Sequence, residues 1–160
     1  MERRYNRNGI RINKQTIVYI HLGVVFILTR VVVVERIKMV SIGKTYQLDV
    51  VKAVEFGFYL DAENIGEVLL PLKYAPSDLV EGDSIEVFLY LDSEDRPVAT
   101  TQKPKAQVGE FAYLKVVDNT EVGSFLDLGL EKDVLVPFAE QHRPMEVGHS
   151  YLVYLYLGEF

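Results

Sequence analysis

The sequence predicts an all-β protein that consists of two small five-stranded barrels in tandem, the second without its fifth strand. Internal repetition is the first observation: shifting residues 42–91 by 66 positions onto residues 108–157 aligns 17 identical residues without a gap. Each copy contains short segments rich in β-branched and aromatic residues, separated by turn residues, and neither shows a helical period. Two copies of one module, each of about 60 residues, have the size and composition of small barrels.

Five segments of the first copy have the composition of strands. They read TYQLDVVKA, GFYLD, EVLLP, SIEVFLYLD and RPVATT. The first and the fourth alternate apolar with polar residues, which is the pattern of a strand with one buried face. The tetrapeptide DSED at residues 92–95 predicts a turn before the fifth segment, and Pro97 suits an edge or the start of a strand.

The second copy reaches Phe160 just after its fourth strand, so its fifth strand is missing. A barrel without one strand leaves backbone donors and acceptors unpaired along an open edge. Either the N-terminal leader fills this gap or the natural protein continues past Phe160. We expect the second, which makes this chain a truncated fragment.

Residues 1–38 form a leader that differs in character from the rest. They carry eight Lys or Arg and two Glu, a net of +6, whereas the remainder carries nine basic and 21 acidic residues, a net of −12. The run at residues 16–34 is nearly all apolar but contains His21 and Arg30. A membrane helix needs about 20 clean apolar residues, and no small-residue cleavage site follows the run. We therefore expect extraneous upstream sequence before a true start at Met39, with a helical anchor as the less favoured alternative. Locally, the run fits either a helix or a β-strand. The predicted domains are the leader at residues 1–38, a first barrel at residues 39–104 and a truncated second barrel at residues 105–160.

The residues that carry chemistry exclude several classes of protein. Cysteine is absent, which removes disulfides and thiolate metal sites and suits a reducing cytoplasm. His21, His142 and His149 lack the spacing of metal ligands. No Ser and His arrangement suggests a nucleophile, and no glycine-rich phosphate loop is present. The sequence predicts a cytoplasmic, non-enzymatic protein without a metal or a cofactor.

Several segments carry a resemblance to a known family. EFGFYLD, EVLLP and EGDSIEVFLYLDSEDR resemble an S1 RNA-binding domain, a relative of the OB-fold. More closely, GEFAYLKVV, LVPF and YLVYLYL are similar to the conserved virulence factor B family of bacterial proteins. The resemblance covers residues 39–160. It implies S1-like OB barrels, RNA binding linked to gene regulation, and a further barrel and a winged-helix region C-terminal to this chain.

Candidate binding residues lie on the second strand of each copy. In GFYLD, Tyr59 shares a face with Asp61, and because an aspartate prefers water we expect that face to point outward. Phe125 occupies the same position in the second copy. The resemblance implies base stacking on these two rings and on Phe56. Among the cations, Arg96 at the start of the fifth strand is best placed for a phosphate.

Two departures from the S1 pattern weaken this site. Val122 stands in the second copy where the first has Phe56. Pro71 and Pro137 stand where many members of the family carry a histidine. The acidic balance of the barrels also opposes phosphate binding, so we expect weak affinity for nucleic acid from this chain alone.

Three functions compete. The first is an RNA-binding module of a gene-expression regulator, which stacks single-stranded bases on Phe56, Tyr59 and Phe125. The second is a protein-interaction or scaffold module, in which the acidic barrels contact a basic protein and exposed aromatics form the interface. The third and least favoured is a barrel tethered to a membrane through residues 17–34.

Overall fold

The N-terminal part of the chain contains a two-stranded antiparallel sheet. The computed structural model describes residues 11–21, 24–35 and 39–158. Strand β1 (Arg11–His21) pairs with β2 (Val24–Glu35), with Arg11 opposite Glu35 and His21 opposite Val24. Many of these residues are β-branched, which favours an extended backbone over a helix. Within the described ranges, no helix is long and apolar enough to cross a membrane.

These two strands occupy positions that the anchor hypothesis drew as a helix. The difference arises because runs of Val and Ile satisfy the apolar pattern of either structure, and β-branching then favours the strand. The predicted boundary after residue 38 falls on residues 36–38, which lie outside the described residues. The extraneous leader at residues 1–38 and the domain limits at 39–104 and 105–160 stay predictions.

The first module is a closed five-stranded barrel. Its strands are β3 (Thr45–Val54), β4 (Gly57–Asp61), β5 (Glu67–Pro71), β6 (Ser84–Leu91) and β7 (Pro97–Thr100). They close in the order β3-β4-β5-β7-β6. The pairing of β5 with β7 is parallel and the others are antiparallel. Pro97 is the first residue of its strand, as the sequence predicted.

Alternation along each strand builds the core of this barrel. On β4, Phe58 and Leu60 are buried while Tyr59 is only half-buried, since successive side chains point to opposite faces of a strand. Val87 and Leu89 on β6 point inward in the same way. The buried residues of this core are Val40, Leu48, Val50, Phe58, Leu60, Ala62, Val68, Leu70, Val87, Leu89 and Ala99.

The second module repeats this sheet without a fifth strand. Its strands are β8 (Phe111–Asn119), β9 (Gly123–Leu126), β10 (Val134–Pro137) and β11 (Ser150–Tyr154), in the order β10-β9-β8-β11. Its buried core is smaller and comprises Leu114, Val116, Leu126 and Leu128. All four residues of β10 are only half-buried, because β10 is an edge strand among the described residues, whereas β5 of the first module pairs with β7. The predicted fold class is confirmed: the described modules are all-β, with one closed barrel and one four-stranded sheet.

Candidate functional site

A row of three side chains crosses the outer face of the first barrel. Tyr59 on β4 lies opposite Lys52 on β3 and opposite Leu69 on β5. Tyr59 and Leu69 are half-buried and Lys52 is exposed. The row therefore offers a ring face, an apolar neighbour and a cation together, which are the groups that bind a base and its phosphate.

A β-bulge places the lysine in this row. The register of β3 against β4 shifts between Val50 and Lys52, so Val51 is the extra residue, and both Val51 and Lys52 are exposed. Without the bulge, strict alternation would place Lys52 on the same face as the buried Val50. Simple alternation along the sequence therefore did not predict that Lys52 lies beside Tyr59.

Phe56 lies in the turn that joins β3 to β4. Its side chain is 59% exposed. Its carbonyl oxygen accepts a hydrogen bond of 3.0 Å from the N–H of Leu72, just after β5. This bond ties the turn to the end of β5 and places Phe56 at the start of β4, three residues before Tyr59. In the second module, the equivalent Val122 is exposed to the same degree but has no ring.

Phe125 holds the equivalent position on β9. It is half-buried and lies opposite Leu135 on β10, as Tyr59 lies opposite Leu69. Its neighbour on β8, however, is Asp118, in the place that Lys52 has in the first module. The second row therefore has a stacking ring beside a carboxylate. Lys115 lies further along the same strand and is exposed.

Arg96 is held by two carboxylates of its own turn. Its guanidinium donates from Nε to Asp92 at 2.9 Å and lies 2.8 Å from the same carboxylate and 2.9 Å from Glu94. The backbone N–H of Arg96 also donates to Asp92, and this bond is the main reason that the pKa of Asp92 lies below its usual range. The charge of Arg96 is thus partly neutralised in the turn. Its predicted role as a phosphate contact stays a prediction.

Two lysines near the rings are also paired with carboxylates. Lys73 directly follows β5 and makes hydrogen bonds of 2.7 Å and 2.6 Å to the two carboxylate oxygens of Glu131. This contact is the main cause that raises the pKa of Lys73 and lowers that of Glu131. Lys105 lies 2.5 Å from Asp127, which lowers the pKa of Asp127. Lys52 forms no ion pair among the described residues. It lies opposite Tyr59, so its ammonium group is available for a phosphate beside that ring.

An exposed aromatic face on the second module was not predicted. On β8 and β11, Phe111 lies opposite Tyr154 and Tyr113 lies opposite Leu152, all pointing away from the core. Their exposed fractions run from 50% to 73%. The centroids of the Phe111 and Tyr154 rings are 4.8 Å apart. The alternation of FAYLK and SYLVY contains this signal, because both strands have apolar residues on both faces.

No group of three or more His, Cys, Asp or Glu side chains that could hold a metal ion occurs among the described residues. The carboxylates of the first module lie instead at strand exteriors and turns, as Asp61 and Asp92 do. The site is therefore a surface of aromatic rings and single charges.

Known proteins resemble this chain over most of its two modules. It is 36% identical over 104 residues to the uncharacterized protein YitL of Bacillus subtilis (strain 168), a match that covers 64% of this chain and 34% of that protein. It also resembles the crystal structure of a multidomain protein with nucleic acid binding domains from Streptococcus pneumoniae TIGR4, with a TM-score of 0.62 and 16% identity. That match covers 74% of this chain and 42% of the other. The chain thus spans less than half the length of either relative.

The family model of the S1 domain matches the chain twice, at residues 42–102 and 108–159. These two matches fall on the closed barrel and on the four-stranded sheet, and together they cover more than half of the chain. The repeat, the sheet order and the sequence matches agree, and the chain belongs to the S1 domain family.

Proposed function

We propose that this chain binds single-stranded RNA by base stacking, as part of a bacterial regulator of gene expression of the conserved virulence factor B type. The observation that supports it most is the row formed by Lys52, Tyr59 and Leu69. It places an outward ring beside a cation that has no ion pair with the part of the chain that the structure describes. The nucleic acid binding domains named for the Streptococcus pneumoniae protein of similar fold add support. The proposal includes a cytoplasmic, non-enzymatic role that needs no cofactor. It also includes the further barrel and winged-helix region that the resemblance implies for the whole protein.

Charge sets the expected strength of this binding. Electrostatic attraction to phosphates supplies most of the affinity that does not depend on sequence. Residues 39–160 carry nine basic and 21 acidic side chains, and Lys73, Arg96 and Lys105 are already paired with carboxylates. Stacking must therefore supply most of the binding free energy. We expect a weak complex that is best observed at low salt.

The test is the binding of a fluorescent single-stranded RNA at increasing salt. Each phosphate that a lysine neutralises is expected to lower the affinity roughly 2.5-fold for a fourfold rise in salt. Since few cations are free, the total dependence should correspond to about one or two phosphates. A duplex RNA of the same sequence is the control and should bind more weakly, because its paired bases cannot stack on Tyr59. Absence of single-strand binding at low salt, or equal binding of the duplex, would contradict the proposal.

A second candidate function, protein interaction, is favoured by the aromatic face of β8 and β11. Phe111, Tyr113, Leu152 and Tyr154 form a contiguous apolar surface, which on a soluble protein marks an interaction site. Strand β11 lies at the edge of its sheet, and residues 150–158 carry no charged side chain. Unlike most protected edge strands, it has neither a lysine nor a proline to oppose pairing.

The partner that this face fits is a second copy of the chain. Lys115 lies opposite Ser150 at one end of the face, and the backbone of Glu110 bonds to Leu155 at the other. Two copies packed face to face in antiparallel directions would bring the lysine end of one to the glutamate end of the other. Four such side chains bury roughly 500 Å² per copy, below the about 800 Å² of a standard interface, so we expect a weak dimer.

Replacing Leu152 by lysine is expected to abolish concentration-dependent association measured by analytical ultracentrifugation, because it buries a charge in the apolar face. The matched control is Glu86→Lys, since Glu86 is the equivalent residue of the first module and is exposed. A wild-type chain that stays monomeric at all concentrations would exclude the dimer. It would leave the predicted basic protein as the partner to seek.

A further inference from the structure

The segment that joins the two modules makes several contacts with the first barrel. Phe88 points outward from β6, yet it is only 3% exposed. It lies with Gln102, Pro104 and Gln107 of the connecting segment around one shallow cavity. The side-chain oxygen of Gln107 accepts a hydrogen bond of 2.9 Å from the N–H of Thr45 on β3. The connection is therefore ordered by contacts with the first barrel.

Gly43 of the first module and Val108 of the second form a tight contact, which we call the seat. The N–H of Val108 donates to the carbonyl oxygen of Gly43 at 2.9 Å. A Cβ atom on Gly43 would lie 2.2 Å from a methyl carbon of Val108, far inside van der Waals contact. Gly43 is buried and has φ +83°. Both the lack of room for a Cβ atom and the left-handed backbone conformation therefore require glycine.

The equivalent residue of the second module shows that this tightness belongs to the contact between modules. Gly109 aligns with Gly43 in the repeat and has φ +90°, but a Cβ atom there would meet nothing within 4 Å. Gly109 is exposed. The two glycines thus share a backbone conformation and differ in the presence of a neighbouring module.

Further contacts join segments that lie just outside the strands of the two modules. Lys73, directly after β5, binds Glu131, and Lys132 donates at 2.8 Å to the carbonyl oxygen of Asp92. Glu131 and Lys132 lie just before β10, the strand that pairs with the strand of Phe125. Exposed ion pairs of this kind contribute little by themselves. They nevertheless add two contacts between the modules to the contact of Gly43 with Val108.

From this arrangement we infer that the two modules bind one nucleic acid strand as a single preoriented unit, and that the seat of Gly43 and Val108 fixes their orientation. The inference rests on the proposed function and specifies its ligand: a single strand long enough to reach from Tyr59 to Phe125. Two weak sites held in one fixed geometry act on one strand with a high effective concentration, which a loose connection reduces. A strand that reaches only one module gains nothing from the seat.

The experiment compares two single-stranded RNAs, of about 5 and about 15 nucleotides, since one OB-type module covers roughly 4–16 nucleotides. The wild-type chain is expected to bind the longer RNA about 10- to 100-fold more tightly. Gly43→Ala should remove most of this advantage and leave the affinity for the short RNA unchanged. Gly109→Ala is the matched control, because it imposes similar backbone strain without touching the other module, and it should keep the advantage.

Val108→Ala provides a second variant in which no backbone strain is introduced, and it should also reduce the advantage of the longer RNA. Hydrogen exchange of the Val108 amide reports the seat without any RNA, and Gly43→Ala should accelerate it far more than Gly109→Ala does. Equal length dependence in the Gly43 and Gly109 variants, or equal amide exchange in both, overturns the inference while the proposed function stands. Failure of the wild type to bind either RNA rejects the proposed function and the inference together.

Discussion

Replacement of both Tyr59 and Phe125 by alanine is expected to lower the affinity for a single-stranded RNA of about 15 nucleotides by about 30-fold or more. Stacking of a base on an aromatic side chain contributes about 1–3 kcal/mol, and two rings are removed. Both rings point outward and are half-buried, so their loss should not open the cores of the modules. Fluorescence anisotropy at low salt measures the effect.

The control for this variant is a second pair of aromatic residues away from the row. Phe111 and Tyr113 are more exposed than the predicted stacking rings, and both lie on β8, outside the row of Tyr59 and the row of Phe125. Their joint replacement by alanine should leave RNA affinity within about twofold of the wild type when measured below the concentration of association. If the control pair loses as much affinity as the Tyr59 and Phe125 pair, the bases stack on β8 and β11 instead.

Gly57→Ala is expected to destabilise the first barrel by about 3 kcal/mol or more, near the upper end of single substitutions. A Cβ atom at this position would lie 2.2 Å from the backbone oxygen of Leu70 on the neighbouring strand. Because the obstacle is backbone, it moves only if β4 and β5 separate. The shift would also displace Tyr59, which lies two residues further on β4. Urea unfolding followed by circular dichroism gives the change in the free energy of unfolding.

Gly66→Ala isolates the cost of backbone conformation from the cost of the collision. Gly66 has φ +93°, and a Cβ atom on it would meet nothing within 4 Å. Its substitution should cost only about 1 kcal/mol. Similar losses of stability for the two variants would show that the approach of β4 to β5 is not what requires glycine at residue 57.

The sequence predicted the fold of the two modules well because repetition and alternation both report the same physical constraint. A strand with one face in a barrel core must alternate, and Leu48, Val50 and Leu60 do so and are buried. Comparison of the two copies predicted that the second module has four strands where the first has five. The N-terminal apolar run was ambiguous, since its length suited either a helix or a pair of strands, and periodicity alone does not separate the two.

The candidate site was less accessible to sequence reasoning. The outward direction of Tyr59 and Phe125 could be predicted because each is followed two residues later by an aspartate. Their neighbours could not, because cross-strand pairing depends on the bulge that puts Lys52 beside Tyr59. The pairing of Arg96 with Asp92 is a property of a folded turn. The aromatic face was hidden, since the inner and outer residues of β11 are both apolar.

The bulge on the first strand of each module has a consequence for ancestry. The register shifts between Val50 and Lys52 in one module and between Val116 and Asp118 in the other, which are equivalent positions of the repeat. An irregularity that recurs at the same residue was most simply present in a single ancestral domain before its gene was duplicated. The residue next to it is lysine in one module and aspartate in the other, so the two descendants kept a common geometry while their surface charge diverged.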